Sequence, residues 1–133
     1  MFAIRKRFEF SASHKLDWLP AEHPCSRLHG HNYGVVVELV AEGLDHVGMV
    51  YDFGELEPVK RFLDETCDHR DLNDVLESRH LAQPTAEVLA AWFYGTFVSL
   101  LQLPSAVSLT AVAVEETPKT WAEYRPGPDE DEQ

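Results

Sequence analysis

The sequence predicts an α+β fold in which a four-stranded antiparallel sheet carries two helices on one face. Residues 2–14 alternate apolar and polar side chains, which is the period of a half-buried strand. Residues 29–42 carry an apolar face at the odd positions from Tyr33 to Leu39. Two segments with the helical spacing of apolar residues follow, and two more strand segments come after them. Strands, then helices, then strands are typical of α+β domains. Because four strands leave exposed sheet edges, we also expect self-association.

The two long strands are predicted from the parity of their apolar residues. Even positions of the first strand are apolar apart from Lys6, and His14 ends that face. Odd positions of the second strand are apolar from Tyr33 to Leu39. Residues 49–51 are predicted to form a short strand or hairpin return. Residues 107–116 are apolar on both faces, which predicts a strand buried in the sheet. Residues 121–125 are predicted to form a last short strand.

The helices are predicted from their caps and apolar stripes. Asp52, with Glu55 three residues later, resembles a capping box, but Pro58 favours a regular helix that begins nearer Gly54. Thr85 is the expected N-cap of the second helix, and Glu87 suits the positive end of its dipole. The polar segment 67–74 between them is predicted to be irregular.

Length and composition bound the class of protein. The 133 residues suffice for one domain, which we place at residues 1–125, with residues 126–133 as a disordered acidic tail. No apolar run is long enough to cross a bilayer, no secretory h-region follows Met1, and two cysteines make no disulfide framework. A cytoplasmic protein with no membrane partner is expected. The net charge of −12 argues against a nucleic-acid partner, because such proteins carry a basic surface.

Three histidines form a candidate metal site. His29 and His31 are two residues apart and continue the inward face of the second strand. His14 ends the inward face of the first strand, where its alternative role is that of a core histidine hydrogen-bonded to backbone. If the two strands are antiparallel neighbours, the three rings can meet. Imidazole is a favoured zinc ligand, and three protein ligands with one open position are typical of catalytic zinc.

Four further residues are candidates for chemistry, and three of them have a simpler alternative. Cys25 is a nucleophile or base, or else a small buried apolar residue. Asp68 beside His69 suggests a base with its orienting partner, or else a solvated turn. Glu116 lies in parity with apolar residues of its strand and needs partners there, which a ligand with two N–H donors would supply. Glu115, on the other face, has no such role, and His23 is expected to be solvated.

Several of these residues carry a family resemblance that spans residues 2–125. The chain resembles the 6-pyruvoyl-tetrahydropterin synthase family, and within it the bacterial 6-carboxy branch of queuosine and 7-deazapurine biosynthesis. The matching motifs are Phe10-x3-His14, Cys25-x3-His29-Gly-His31-Asn-Tyr, Val50-Tyr-Asp52-Phe53, Asp68-His-x2-Leu-Asn73, Pro84-Thr-x-Glu87 and Val114-x-Glu116-Thr. The spacing of the cysteine and the histidine pair favours the carboxy branch.

The resemblance implies a fold, an assembly and an activity. It implies a tunnelling fold (T-fold), whose sheets join edge to edge into a barrel, in a homohexamer built as a dimer of trimers. It implies a zinc-dependent lyase that converts 7,8-dihydroneopterin triphosphate to 6-carboxy-5,6,7,8-tetrahydropterin, with release of acetaldehyde and triphosphate. The alternatives are a 6-pyruvoyl-tetrahydropterin synthase and a non-catalytic zinc- or pterin-binding protein.

The resemblance also implies roles for individual residues. Zinc is expected on His14, His29 and His31. Cys25 corresponds to the catalytic base, working with Asp68 and His69 from a neighbouring subunit, and Glu116 corresponds to the anchor of the pterin ring.

Overall fold

A computed structural model of the chain describes residues 1–128. Its strands are β1 (Phe2–His14), β2 (His29–Ala41), β3 (Arg70–Asp71), β4 (Ser108–Thr117) and β5 (Thr120–Tyr124), and its helices are α1 (Glu57–Thr66), α2 (Leu72–Glu77) and α3 (Ala86–Leu100). The α+β class is confirmed. The predicted tail lies mostly at residues 129–133, outside the described residues.

The five strands form one mixed sheet in the order β3-β1-β2-β4-β5. The prediction of four antiparallel strands is wrong, because β3 adds a fifth strand that pairs in parallel with β1 at Ala12 and Ser13. The other neighbouring pairs are antiparallel. Since β3 spans only two residues, most of β1 has no strand beside it on that edge among residues 1–128.

The apolar core lies between one face of the sheet and the helices. Phe10 of β1 stacks on Tyr33 of β2 at 4.9 Å between ring centroids and meets Phe93 of α3 edge-on at 6.1 Å. These side chains come from the predicted apolar parities of β1 and β2 and from the apolar stripe of α3. Thr85 caps α3 as predicted, since its hydroxyl accepts a hydrogen bond from Val88 N at 3.1 Å.

Two local predictions about the middle of the chain are wrong. Residues 49–51 form no strand, because Asp45 closes this segment into a turn by accepting from Val47 N and Met49 N at 2.9 Å. Gly48 supports the turn with a φ of 86°, which a residue with a side chain rarely adopts. Segment 67–74 is also not wholly irregular, since it contains β3 and the start of α2.

The entry to α1 takes two steps. Asp52 accepts from Gly54 N at 2.8 Å and caps a short 3-10 helix, Phe53–Leu56, rather than α1 itself. α1 begins at Glu57 with Pro58 in its first turn, where proline costs no hydrogen bond. None of the described helices is long and apolar enough to span a membrane.

Candidate metal centre

The pairing of β1 with β2 brings the three predicted histidines together at one end of the sheet. His14 lies directly opposite His29, and Ala12 lies opposite His31. The side chains of His14, His29 and His31 leave the strands on the face that packs against the helices, and their ring centroids are 4.6, 5.0 and 4.8 Å apart. The antiparallel register that the sequence only suggested is therefore the one that forms a three-histidine cluster.

Two backbone carbonyls orient the rings. His14 Nδ1 lies 2.8 Å from Pro84 O, and His29 Nδ1 lies 2.6 Å from Arg27 O. A carbonyl oxygen can only accept, so each Nδ1 carries the hydrogen and donates it. In the neutral rings, each Nε2 then carries a lone pair that points inward. Metal-binding histidines are commonly held in this way.

The inward atoms form a set of electron-pair donors. His14 Nε2 and His29 Nε2 are 3.0 Å apart, and Glu116 Oε1 lies 3.1 Å from His14 Nε2 and 3.2 Å from His31 Nε2. His31 Nε2 is buried and makes no hydrogen bond within residues 1–128. Lone pairs at these distances repel unless a positive charge lies among them, either a metal ion or a shared proton.

The cluster fits a metal ion in composition and spacing. One ligand atom from each of His14, His29, His31 and Glu116 lies within 4.8 Å of the other three. Imidazole nitrogens and a carboxylate oxygen are ligands that zinc accepts in tetrahedral sites. The sequence placed Glu116 in the site, but it did not predict that the carboxylate would be this close to the ligand nitrogens.

Burial and charge keep the cluster in the protonation states that bind a metal. Burial lowers the pKa of His31, which favours its neutral form. A proton shared with His14 Nε2 lowers the pKa of Glu116 despite the opposing effect of burial, which favours the carboxylate. Burial raises the pKa of Tyr33, whose ring forms the floor beside His14 and His31 at centroid distances of 5.9 and 5.5 Å.

Cys25 lies in the segment just before β2 but is not part of the cluster. It sits in a 3-10 turn, Pro24–Ser26, where its carbonyl accepts from Leu16 N at 2.8 Å. Its thiol is partly exposed and makes no hydrogen bond to the three rings within residues 1–128. His23 is exposed, as expected, and its Nδ1 accepts from Cys25 N at 3.1 Å and caps this turn.

Asp68 and His69 contact each other, as expected for a base with its orienting partner, which was one of the two alternatives from the sequence. Asp68 Oδ2 lies 2.8 Å from His69 Nδ1, although adjacent side chains seldom meet. The contact is possible because His69 adopts a φ of 57°, and because Ser11 of β1 holds both residues. Ser11 N donates to Asp68 Oδ1 at 2.9 Å, which lowers the pKa of Asp68, and Ser11 O accepts from His69 N at 2.6 Å.

Asp68 and His69 line clefts that His31 also lines, but neither belongs to the set of metal-ligand atoms among residues 1–128. The His69 side chain is 82% exposed and makes no hydrogen bond to the cluster among the described residues. Asp68 lines a cleft of about 750 Å³ together with His31 and Glu116, and this cleft is large enough for a bicyclic ligand. The structure therefore brings His14, His29, His31 and Glu116 together as one set of ligand atoms, and this set includes neither Cys25 nor His69 among residues 1–128.

Three residues support the site without having been assigned a role in it. Pro84 and Arg27 act through their carbonyls, which side-chain identity does not reveal. Asn73 accepts from Lys15 N at 2.8 Å and donates to Lys15 O at 2.9 Å, which ties α2 to the residue after His14. The only sequence signal was that Asn73 and Pro84 fall within the matched motifs.

Known proteins of one enzyme group are similar to this chain over nearly all of its length. The family model described as 6-pyruvoyl tetrahydropterin synthase matches residues 3–127. The 6-carboxy-5,6,7,8-tetrahydropterin synthase of Bacillus subtilis (strain 168) is 32% identical over 131 residues, which covers 94% of this chain and 86% of the relative. The protein of the same name from Synechocystis sp. is 34% identical over 129 residues and covers 93% of each chain.

A solved structure shares the fold. The Caenorhabditis elegans 6-pyruvoyl tetrahydropterin synthase superposes with a TM-score of 0.80 at 31% sequence identity. The match covers 95% of this chain and 96% of that one.

Proposed function

Because this chain belongs to the 6-pyruvoyl tetrahydropterin synthase family, we propose that it is a zinc-dependent 6-carboxy-5,6,7,8-tetrahydropterin synthase. The substrate is 7,8-dihydroneopterin triphosphate, and acetaldehyde and triphosphate are released. The product would serve 7-deazapurine (queuosine) biosynthesis. The names of the bacterial relatives support the carboxy product. The observation that carries the proposal is the convergence of three imidazole nitrogens on one point beside a substrate-sized cleft.

His14, His29 and His31 would hold the zinc ion through their Nε2 atoms. When bound, zinc supplies a Lewis acid that polarises the hydroxyl oxygens of the substrate side chain. The carbonyls of Pro84 and Arg27 keep the rings of His14 and His29 in the tautomer that this requires.

Cys25, Asp68 and His69 would move protons. The Cys25 thiolate takes the carbon-bound proton of the side chain, and His69 carries protons between substrate atoms. The contact of Asp68 Oδ2 with His69 Nδ1 places a hydrogen on Nδ1 and leaves Nε2 free to accept a proton. This is the orienting function that a carboxylate has beside a catalytic imidazole.

We propose that the catalytic groups come from two subunits of a hexamer. The support is that the His69 ring is exposed to solvent and that His69 directly precedes β3, the edge strand of the sheet, where a neighbouring chain has access to it. The edge of β1, most of which has no partner strand among residues 1–128, offers a surface for sheets to join into the barrel that the family resemblance implies. In such an assembly, His69 of one chain would face Cys25 of the next.

Glu116 would anchor the pterin ring. Its lowered pKa keeps it a carboxylate, which can accept from the ring N–H and the exocyclic amine together. Its distance to the histidines also allows a second role as a fourth protein ligand to zinc. The two roles differ in whether the loss of Glu116 changes zinc content or pterin affinity.

A product assay tests the proposal. Zinc-loaded protein is incubated with 7,8-dihydroneopterin triphosphate, and we expect 6-carboxy-5,6,7,8-tetrahydropterin with an equimolar amount of acetaldehyde. The likeness to the C. elegans structure favours one second candidate, a pyruvoyl-forming synthase. That enzyme would yield 6-pyruvoyl-tetrahydropterin and no acetaldehyde. Unchanged substrate from a protein that binds zinc and pterin would indicate a non-catalytic binding protein.

A further inference from the structure

The sheet face that points away from the helices carries an ion pair that crosses a whole strand. Arg7 of β1 donates from Nε to Glu115 Oε2 of β4 at 2.8 Å, although β2 lies between these two strands. Its other acidic partner is Glu9, two residues along the same strand. The Arg7–Glu115 pair therefore ties β1 directly to the C-terminal end of β4.

Gly34 is the residue of β2 over which this pair passes. A Cβ at Gly34 would lie 2.4 Å from Glu115 Oε2 and 2.5 Å from Arg7 Nη2, distances that no carbon atom tolerates. The backbone of Gly34 is ordinary strand, with no left-handed φ that would favour glycine. The position therefore serves by lacking a side chain, which leaves room for the guanidinium and the carboxylate to meet.

Glu116, which follows directly, is the residue at which the regular pairing of β4 ends. Gly34 opposite Glu115 is the last pair between β2 and β4, and the pairing of β4 with β5 shifts register between Glu115 and Thr117. Neither neighbouring strand thus pairs with Glu116. Irregularities of this kind change the direction of a side chain. The direction of the Glu116 side chain therefore depends on how the preceding residue, Glu115, is held.

We propose that Arg7, Gly34 and Glu115 form a clamp that holds the end of β4 so that Glu116 points at the three-histidine cluster. The Arg7–Glu115 pair lies on the opposite face of the sheet, where both side chains also line the cleft of about 750 Å³. The role assigned to them here is to position Glu116. The consequence for pterin binding rests on the function proposed above for Glu116. Glu115, which the sequence left without a role, thereby gains one.

Two variants of the full chain break the clamp in different ways. Arg7→Met removes the guanidinium and keeps the aliphatic stem, whereas Gly34→Ala keeps both charges and fills the space between them. Alanine suits a strand better than glycine, so any harm from Gly34→Ala comes from the clamp rather than from strand propensity. Arg5→Met is the matched control, because it removes a guanidinium of the same strand that pairs with Glu38 instead and lies outside the cleft.

The readouts are zinc content, sepiapterin affinity by calorimetry, and crystal structures. We expect Arg7→Met and Gly34→Ala to keep zinc and to weaken sepiapterin binding by about 3- to 30-fold, which lies within the range for residues coupled in one network. Arg5→Met should bind like the wild type, and Arg7→Lys should recover part of the affinity. In the Arg7→Met crystal, the Glu116 carboxylate should leave its place 3.1 Å from His14 Nε2.

The outcomes separate the clamp from the proposed function. If Glu116→Gln weakens sepiapterin binding while Arg7→Met and Gly34→Ala do not, the clamp is refuted and the role of Glu116 stands. If Glu116→Gln binds sepiapterin like the wild type, its role as anchor fails, and the Arg7→Met crystal decides the clamp. A displaced Glu116 carboxylate supports the clamp, and a carboxylate in its original place overturns it.

Discussion

Replacing Glu116 by glutamine should weaken pterin binding strongly and leave the fold intact. The Glu116 side chain is only 27% exposed, so a mismatched group there is poorly compensated by water. Glutamine keeps the shape but presents an N–H₂ group where the pterin presents a donor. An unsatisfied buried group costs about 1–3 kcal/mol, and more when a charged partner is lost.

The expected loss for Glu116→Gln is therefore on the order of 2–4 kcal/mol, which corresponds to a roughly 30- to 1,000-fold rise in Kd. Calorimetry with sepiapterin measures this change, and elemental analysis of the same samples measures zinc. Glu123→Gln is the control, because this exposed carboxylate of the neighbouring strand β5 pairs with Arg125 instead.

Two results would refute the reasoning about Glu116. Equal sepiapterin affinity in the wild type and Glu116→Gln would mean that another group holds the ring. A loss of zinc with unchanged pterin affinity would mean that Glu116 is a metal ligand, as its contact with His14 and His31 also allows.

Three further predictions concern the metal, the proton transfers and pH. His29→Ala and His31→Ala should each lower zinc from about one ion per chain, and undiminished zinc by elemental analysis would contradict the three-histidine site. Cys25→Ala should keep zinc and pterin binding but lose about 10²- to 10⁴-fold in turnover, the usual range for a general base. If each active site is shared between two chains, reassembly of Cys25→Ala chains with His69→Ala chains should restore some activity. Burial opposes ionisation of Glu38, but hydrogen bonds from Thr110 and Arg125 outweigh it and lower its pKa below 4.5. The contribution of the Glu38 carboxylate to stability should thus be complete at neutral pH and decline below about pH 4.5. In urea titrations, the free energy of unfolding of Glu38→Gln should therefore fall below that of the wild type at neutral pH, and this difference should shrink on acidification. A difference that is independent of pH would show that the charge contributes nothing.

Periodicity along the chain was enough to predict the two long strands and the inward side of each histidine. His14, His29 and His31 share parity with Phe10 and Tyr33, and parity depends only on the alternation of side chains along a strand. The same reasoning placed Glu116 on the apolar face of β4. These predictions succeeded because they use residues that are neighbours in sequence.

Tertiary structure alone decided the features that depend on residues distant in sequence. The two-residue strand β3 has no periodicity to detect, and it exists because β1 offers an edge beside Ala12. The carbonyl of Pro84 reaches His14 across 70 positions of the chain, and Arg7 reaches Glu115 across 108. Side-chain identity and local spacing carry no record of such contacts, because the register between strands and the space over Gly34 arise only when the sheet has formed.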